Sequence, residues 1–187
     1  MKRTRSSTSD ALRASRAHRP AHLVHGGWRN RIRHRPDPGG SSGTWKPEEA
    51  PLVLLVDDER AIRTICRVNL EGDGLAVTEA KDGTEALEAV RQERPSVVLL
   101  DVMMPGVDGW SVAEQLAADD ELREIPVVFL SARAADEDHL RAQELGAVGY
   151  VVKPFDPLAL AEKVRDVLER IARGEREQLN RELSERR

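Results

Sequence analysis

From Pro51 onward the chain alternates short apolar runs with amphipathic stretches, and it does so five times. That alternation is the signature of β-α units wound around a parallel sheet. The runs predict strands at 52–56, 75–78, 97–100, 127–130 and 149–152. The run from Val97 to Leu100 is apolar at every position, as suits a strand covered on both faces. The stretches between predict helices near 60–71, 83–93, 110–118, 136–145 and 157–172. Boundary residues agree: Asp82 and Asp108 stand where an N-cap is needed, and Gly146 follows the fourth helix. Asp156 with Pro157 supplies a cap and a first turn for the fifth.

That fifth helix carries Leu160, Val164, Val167, Leu168 and Ile171 on one face, a stripe expected to pack on the sheet. Beyond Gly174 the stripe lapses to Leu179 and Leu183 among polar residues, although Glu177 with Arg181 and Glu182 with Arg186 stand at i,i+4 spacing. Residues 173–187 therefore read as a charged tail with helical tendency and a frayed, solvated end. Residues 1–50 are rich in Arg, His, Ser, Pro and Gly and show no period; they are expected to form a disordered basic tail, or to lie upstream of the true start. The folded unit is expected at 51–172.

Charge sharpens this division. Residues 1–46 hold 11 Lys and Arg against Asp10 and Asp37, a balance of +9, whereas the remainder of the 187-residue chain comes to −13. An acidic unit of that kind makes a poor surface for nucleic acid but suits a divalent metal. The Arg-rich segment, with Trp28 and Trp45, offers a contact to phosphate backbones, yet a solvated tail is the simpler reading. His18, His22 and His25 lack the carboxylate or thiol neighbours of a metal site. Cys66 falls at helical spacing with Ile62, Ile65 and Leu70 and reads as a small core residue. No apolar run reaches the roughly eighteen residues of a membrane span, and the basic N-terminus lacks the apolar block of a secretory signal. A cytoplasmic location without membrane contact is expected.

Three carboxylates stand where strands run out: Asp57 and Asp58 after the first, Asp101 after the third. With right-handed crossovers the chain closes as an α/β fold, a flavodoxin-like (βα)5 doubly wound parallel sheet of order 2-1-3-4-5. Strands one and three are then neighbours at the switch point, where such folds place their sites. Like charges about 4 Å apart repel by roughly 4 kcal/mol at an effective dielectric near 20. A bound cation is the simplest way to keep the group ionised, and Mg2+, which takes one or two carboxylates and shares phosphate oxygens, suits it. Ser131 and Lys153 follow the fourth and fifth strands. A hydroxyl and a cation converging on Asp101 would meet the oxygens of a phosphoryl group carried on its carboxylate. A nucleotide or flavin site would need a glycine-rich or hydroxyl-rich loop after strand one; Val56-Asp57-Asp58-Glu59 would repel phosphate.

These residues resemble the receiver domain of two-component response regulators over 51 to about 172. The resemblance rests on the pair Asp57-Asp58, Asp101 in LLDVMMPGVDG, Ser131 with Ala132 in LSA, and Lys153-Pro154 in KPF. It implies that Asp101 accepts phosphate from a sensor histidine kinase or histidine phosphotransfer protein. It also implies that Asp57, Asp58, Asp101 and the backbone carbonyl of Met103 hold Mg2+. Ser131 and Lys153 would contact the phosphoryl group, Tyr150 would rotate with the movement of Ser131, and the Lys153–Pro154 peptide would be cis. Trp110, Met103 and Met104 read as loop and helix packing, with Met103 taking part in the site through its backbone only.

The expected function is a phosphorylation-dependent switch, not an enzyme acting on external substrates. Self-phosphorylation and self-dephosphorylation are the only chemistry expected, because the aspartate common two residues beyond the acceptor is here Met103. Only about fifteen polar residues follow Ala172, so output is expected through contact with a downstream protein, with homodimerisation through helix 4, strand 5 and helix 5 as one arrangement. The alternatives are a phosphorelay carrier, or a DNA-associated regulator that uses the Arg-rich N-terminal segment.

Overall fold

The computed structural model describes residues 50–185. The segment expected to be a basic tail, with Trp28, Trp45 and its three histidines, lies outside the described residues but for Ala50, as does Arg186. Five strands, β1 (Leu52–Val56), β2 (Ala76–Ala80), β3 (Val97–Asp101), β4 (Val127–Ser131) and β5 (Gly149–Val152), form one parallel sheet in the order 2-1-3-4-5. Six helices accompany them: α1 (Arg60–Gly72), α2 (Gly83–Glu93), α3 (Gly109–Ala118), α4 (Asp136–Glu144), α5 (Pro157–Ala172) and α6 (Arg176–Glu185).

Strand periodicity explains how uniformly apolar runs serve two cores. Val53, Leu55, Val97, Leu99, Val128 and Leu130 face one side, where Cys66 and Leu70 of α1 and the stripe of α5 cover them. Their neighbours Leu54, Val56, Val98, Leu100 and Phe129 face the other, under α2, α3 and Ala142 of α4. Helix starts follow the expected caps: Asp82 accepts from the Glu85 N–H at 2.9 Å, Asp108 from Ser111 at 2.8 Å and Asp156 from Leu158 at 2.9 Å. Gly146 takes φ +75° just past α4, the left-handed conformation that glycine adopts without penalty.

Three expectations change. Strand β2 runs two residues further than the sequence pattern suggests, because at the sheet edge Glu79 is only half-buried and meets Arg63 and Arg67 of α1 at 3.2 and 2.7 Å. Ile65 turns outward, 49% exposed, although Cys66 beside it is fully buried. The largest change is at the C-terminus, where the frayed, solvated end is instead a docked helix. Helix α6 packs against α4, α5 and β5, with Leu179 and Leu183 only 2% and 5% exposed. Leu179 joins the α1/α5 core and Leu183 the opposite core, so α6 closes the open side of β5 where the two layers meet. Glu182 pairs with Arg170 of α5, at 2.6 and 2.9 Å, a partner outside its own helix.

Candidate functional site

Asp101 and Ser131 are the last residues of β3 and β4, while Asp57 and Lys153 follow β1 and β5 directly. All four therefore collect at the carboxyl end of the sheet, around the point where strand order reverses. Asp57, Asp101 and Ser131 are buried, and Asp58 is exposed at the mouth. Lys153 Nζ donates to Asp57 Oδ2 at 2.7 Å and to Asp101 Oδ2 at 2.8 Å, so one ammonium bridges two carboxylates. The remaining oxygens take backbone donors: Glu59 N–H reaches Asp57 Oδ1 at 2.8 Å, and Met103 N–H reaches Asp101 Oδ1 at 3.1 Å.

Burial governs the ionisation of Asp101. It pushes the carboxyl above its ordinary range, and the bonds from Lys153 and Met103 offset this only in part. Burial opposes the charge of Lys153 too, but hydrogen bonds to Asp101 and Asp57 outweigh it and hold the ammonium above its usual value. The carboxylate oxygens of Asp57, Asp58 and Asp101 lie within 4.8 Å of one another. Three hard oxygen donors facing a single lysine leave an excess of negative charge, which fits a divalent oxygen-seeking cation with waters completing its shell.

A model of the response regulator receiver domain matches residues 53–165. The chain belongs to that family. Two curated relatives are similar: a probable transcriptional regulator, ycf27, of Guillardia theta is 44% identical over 123 residues, 66% of this chain and 47% of that protein. The transcriptional regulatory protein CseB of Streptomyces avermitilis is 45% identical over 122 residues, 65% of this chain and 51% of its own. The chain thus spans about half the length of the curated relatives it matches. Among solved structures, the receiver domain of the Francisella response regulator 1452 superposes with a TM-score of 0.61 at 31% identity, covering 65% of this chain and 98% of its own. The chemotaxis protein CheY4 of Vibrio cholerae gives 0.60 at 30% identity, covering 63% and 98%. Receiver domains are signalling switches of two-component systems.

The rest of this receiver domain supports the acidic pocket. Tyr150 of β5 is buried, and its hydroxyl donates to the Arg133 carbonyl at 3.0 Å, while Arg133 N–H donates to Ser131 Oγ at 3.1 Å. The tyrosine is thereby tied to the loop that starts at Ser131. Its ring lies 4.3 Å from that of His139 and 6.3 Å from Phe129. The Lys153–Pro154 peptide is cis, as expected. Trp110 and Met104 are buried, and Trp110 packs on Phe129 at 4.5 Å. The side chain of Met103, expected to pack, is instead 60% exposed; its link to the site is the backbone N–H.

Two positioning residues escaped the sequence reading. Arg63, one turn into α1, donates to the carbonyls of Asp57 at 2.7 Å and Asp58 at 3.2 Å, pinning the acidic loop. A basic residue shortly after an acidic turn was the available signal. Gly109 opens α3 against the Asp101 carbonyl, into which a β-carbon there would run. Only glycine lets the loop close this tightly beneath the site.

Proposed function

We propose that this receiver domain accepts a phosphoryl group on Asp101 from the phosphohistidine of a sensor histidine kinase or histidine phosphotransfer protein in the cytoplasm. The observation that carries the reading is Lys153 Nζ held between Asp101 and Asp57 at 2.8 and 2.7 Å. In the transfer, an Asp101 carboxylate oxygen forms a bond to phosphorus as the P–N bond of the donor breaks, and the imidazole leaves with the electron pair. Asp57, Asp58, Asp101 and the Met103 carbonyl would hold Mg2+, which when bound supplies charge neutralisation for the acids and the phosphoryl oxygens. Lys153 would turn from Asp57 toward the incoming oxygens, as a catalytic cation. Ser131 Oγ accepts from Arg133 N–H and so keeps its own proton for donation to a phosphoryl oxygen. Any shift of Ser131 pulls on the Arg133 loop and hence on the hydroxyl of Tyr150, which carries the change toward α4, β5 and α5. Output then follows from contact with another protein.

Incubation with Mg2+ and acetyl phosphate, followed by intact-mass measurement, tests this. The wild type is expected to gain one phosphoryl group and Asp101→Asn none. Gain by both, or by neither when each is folded, overturns Asp101 as acceptor for small-molecule donors.

A second reading has its own support in the names of the curated relatives, which are transcriptional regulators, and in the +9 balance of residues 1–46. In that reading the Arg-rich segment gives affinity for DNA. Steep salt dependence that disappears on deleting residues 1–46 is the expected result, and DNA binding unchanged by the deletion rejects it.

A further inference from the structure

We propose that Glu79, at the edge of the sheet, is a positioning residue for the acidic pocket and acts on the Asp57–Asp58 loop through Arg63. The proposal rests on the reading of Asp57, Asp58 and Asp101 as the Mg2+ site and extends it to a side chain outside the pocket.

Glu79 stands on an apolar face. Strand alternation puts it on the same side of β2 as Val77, which packs on the core beneath α1 and α5. In register it lies beside Leu55 of β1, a fully buried residue. An aliphatic side chain at this position would extend the layer; the carboxylate instead meets two arginines one turn apart on α1. Arg63 Nε donates to Glu79 Oε2 at 3.2 Å and Arg67 Nε to Glu79 Oε1 at 2.7 Å. The two arginines differ in surroundings. Arg67 has a side chain 37% exposed and also meets Glu71 at 3.2 Å, an ordinary surface network, whereas that of Arg63 is 12% exposed and turns toward the pocket loop.

There Arg63 Nη1 donates to the Asp57 carbonyl at 2.7 Å and the Asp58 carbonyl at 3.2 Å. A guanidinium is rigid and planar, so holding Nε on the Glu79 carboxylate fixes the direction of Nη1. Glu79 thereby aims the arginine at the main chain of the loop and away from its carboxylates. The distinction matters because a guanidinium binds a carboxylate more strongly than a carbonyl. Released from Glu79, Arg63 has the Asp58 carboxylate as a stronger acceptor on a residue it already meets. That pairing would occupy an oxygen the metal needs and bring positive charge toward the ion. The neighbouring Ala80 carbonyl accepts from Asp57 N–H at 3.2 Å, so the end of β2 holds the loop by main chain and side chain together.

Titration calorimetry of the full chain with Mg2+ tests this. Glu79→Ala is expected to weaken Mg2+ binding about three- to tenfold, at or below the low end for residues behind a metal's ligands. Glu71→Ala removes the same charge from the Arg67 side of the network and is expected to stay within about twofold of the wild type. Arg63→Ala with Glu79→Ala should bind no more weakly than Arg63→Ala alone, since the effect of Glu79 runs through that arginine. Glu79→Gln, which keeps an acceptor for Arg63, should recover part of the loss, and should Glu79→Ala not fold it carries the same comparison with a smaller shift. In the metal-free chain, amide hydrogen exchange at residues 57–59 should quicken in Glu79→Ala, a change that needs no ion. Wild-type affinity in Glu79→Ala, an equal loss in Glu71→Ala, or a further loss when Glu79→Ala is added to Arg63→Ala overturns the proposal. A wild-type chain that binds no Mg2+ overturns the reading of the pocket itself, and the exchange comparison then decides whether Glu79 holds the loop.

Discussion

Two places in this receiver domain set one cation between two carboxylates, and they behave in opposite ways. At the carboxyl end of the sheet Lys153 bridges Asp57 and Asp101; at the C-terminal seam Arg170 bridges Glu175 and Glu182. The carboxyl of Asp101 is raised above its ordinary range, chiefly by burial, whereas that of Glu175 is lowered, chiefly by its hydrogen bonds from Arg173 and Arg170. A cation between two carboxylates thus goes with a raised acid in one place and, where Arg173 adds a second cation, with a clasp in the other. Solvent differs as well. Asp57 and Asp101 are fixed at strand ends with almost no access to water, while Glu175 and Glu182 remain about a third exposed and are screened. Arginine also suits the clasp, since its planar fork holds two oxygens at once, and lysine suits the pocket, where a compact point charge meets one oxygen of each of two carboxylates.

The comparison breaks most visibly at Lys153. Lys153→Ala leaves Asp57 and Asp101 facing each other without their cation, and is expected to cost about 3 kcal/mol in metal-free urea denaturation. Excess Mg2+ should restore part of that loss, because the ion takes over the neutralisation. Arg170→Ala is expected to cost less, about 1–2 kcal/mol, with no recovery in Mg2+, and Arg170→Lys should not rescue it. Asp101→Asn should have the opposite sign, raising stability at neutral pH by roughly 0.5–2 kcal/mol, as relief of an unfavourable buried charge does. The sign follows from linkage. A carboxyl with a raised folded-state pKa contributes stability below its unfolded value and loses it as pH rises through the folded one. The smallest effect is in the pH profile of Mg2+ affinity by titration calorimetry: it should fall on acidification earlier than an ordinary carboxylate would dictate, since Asp101 takes up its proton first.

Most of the fold was legible because strand runs, caps and turn glycines agreed on the same boundaries. The pocket was legible because its side chains sit within two residues of strand ends, where topology alone brings them together. What escaped depended on partners distant in sequence. The end of β2 required knowing that Arg63 and Arg67 would shelter Glu79. Helix α6 required knowing that Arg170, twelve residues back, would take Glu182, and that two isolated leucines had a waiting floor. A stripe of two apolar residues carries too weak a period to declare itself. Arg63 and Gly109 were missed for a related reason: one acts through backbone carbonyls and the other through the absence of a side chain.

The shortness of β5 has a consequence for how this chain tolerates changes of length. The four-residue strand and its flanks, 147–153, carry the Ala147 carbonyl that holds Asn180, the Tyr150 ring in one core, and Lys153 in the pocket. The register is fixed by Phe129 opposite Tyr150 and by Lys153 N–H on the Ser131 carbonyl at 2.7 Å. Deleting or inserting a single residue here would exchange the two faces of the strand, sending Tyr150 into the wrong layer and Lys153 away from both aspartates. Point substitutions along β5 can be graded in their damage, but a shift of one residue in its pairing would disturb the pocket, the tyrosine and the seat of α6 together.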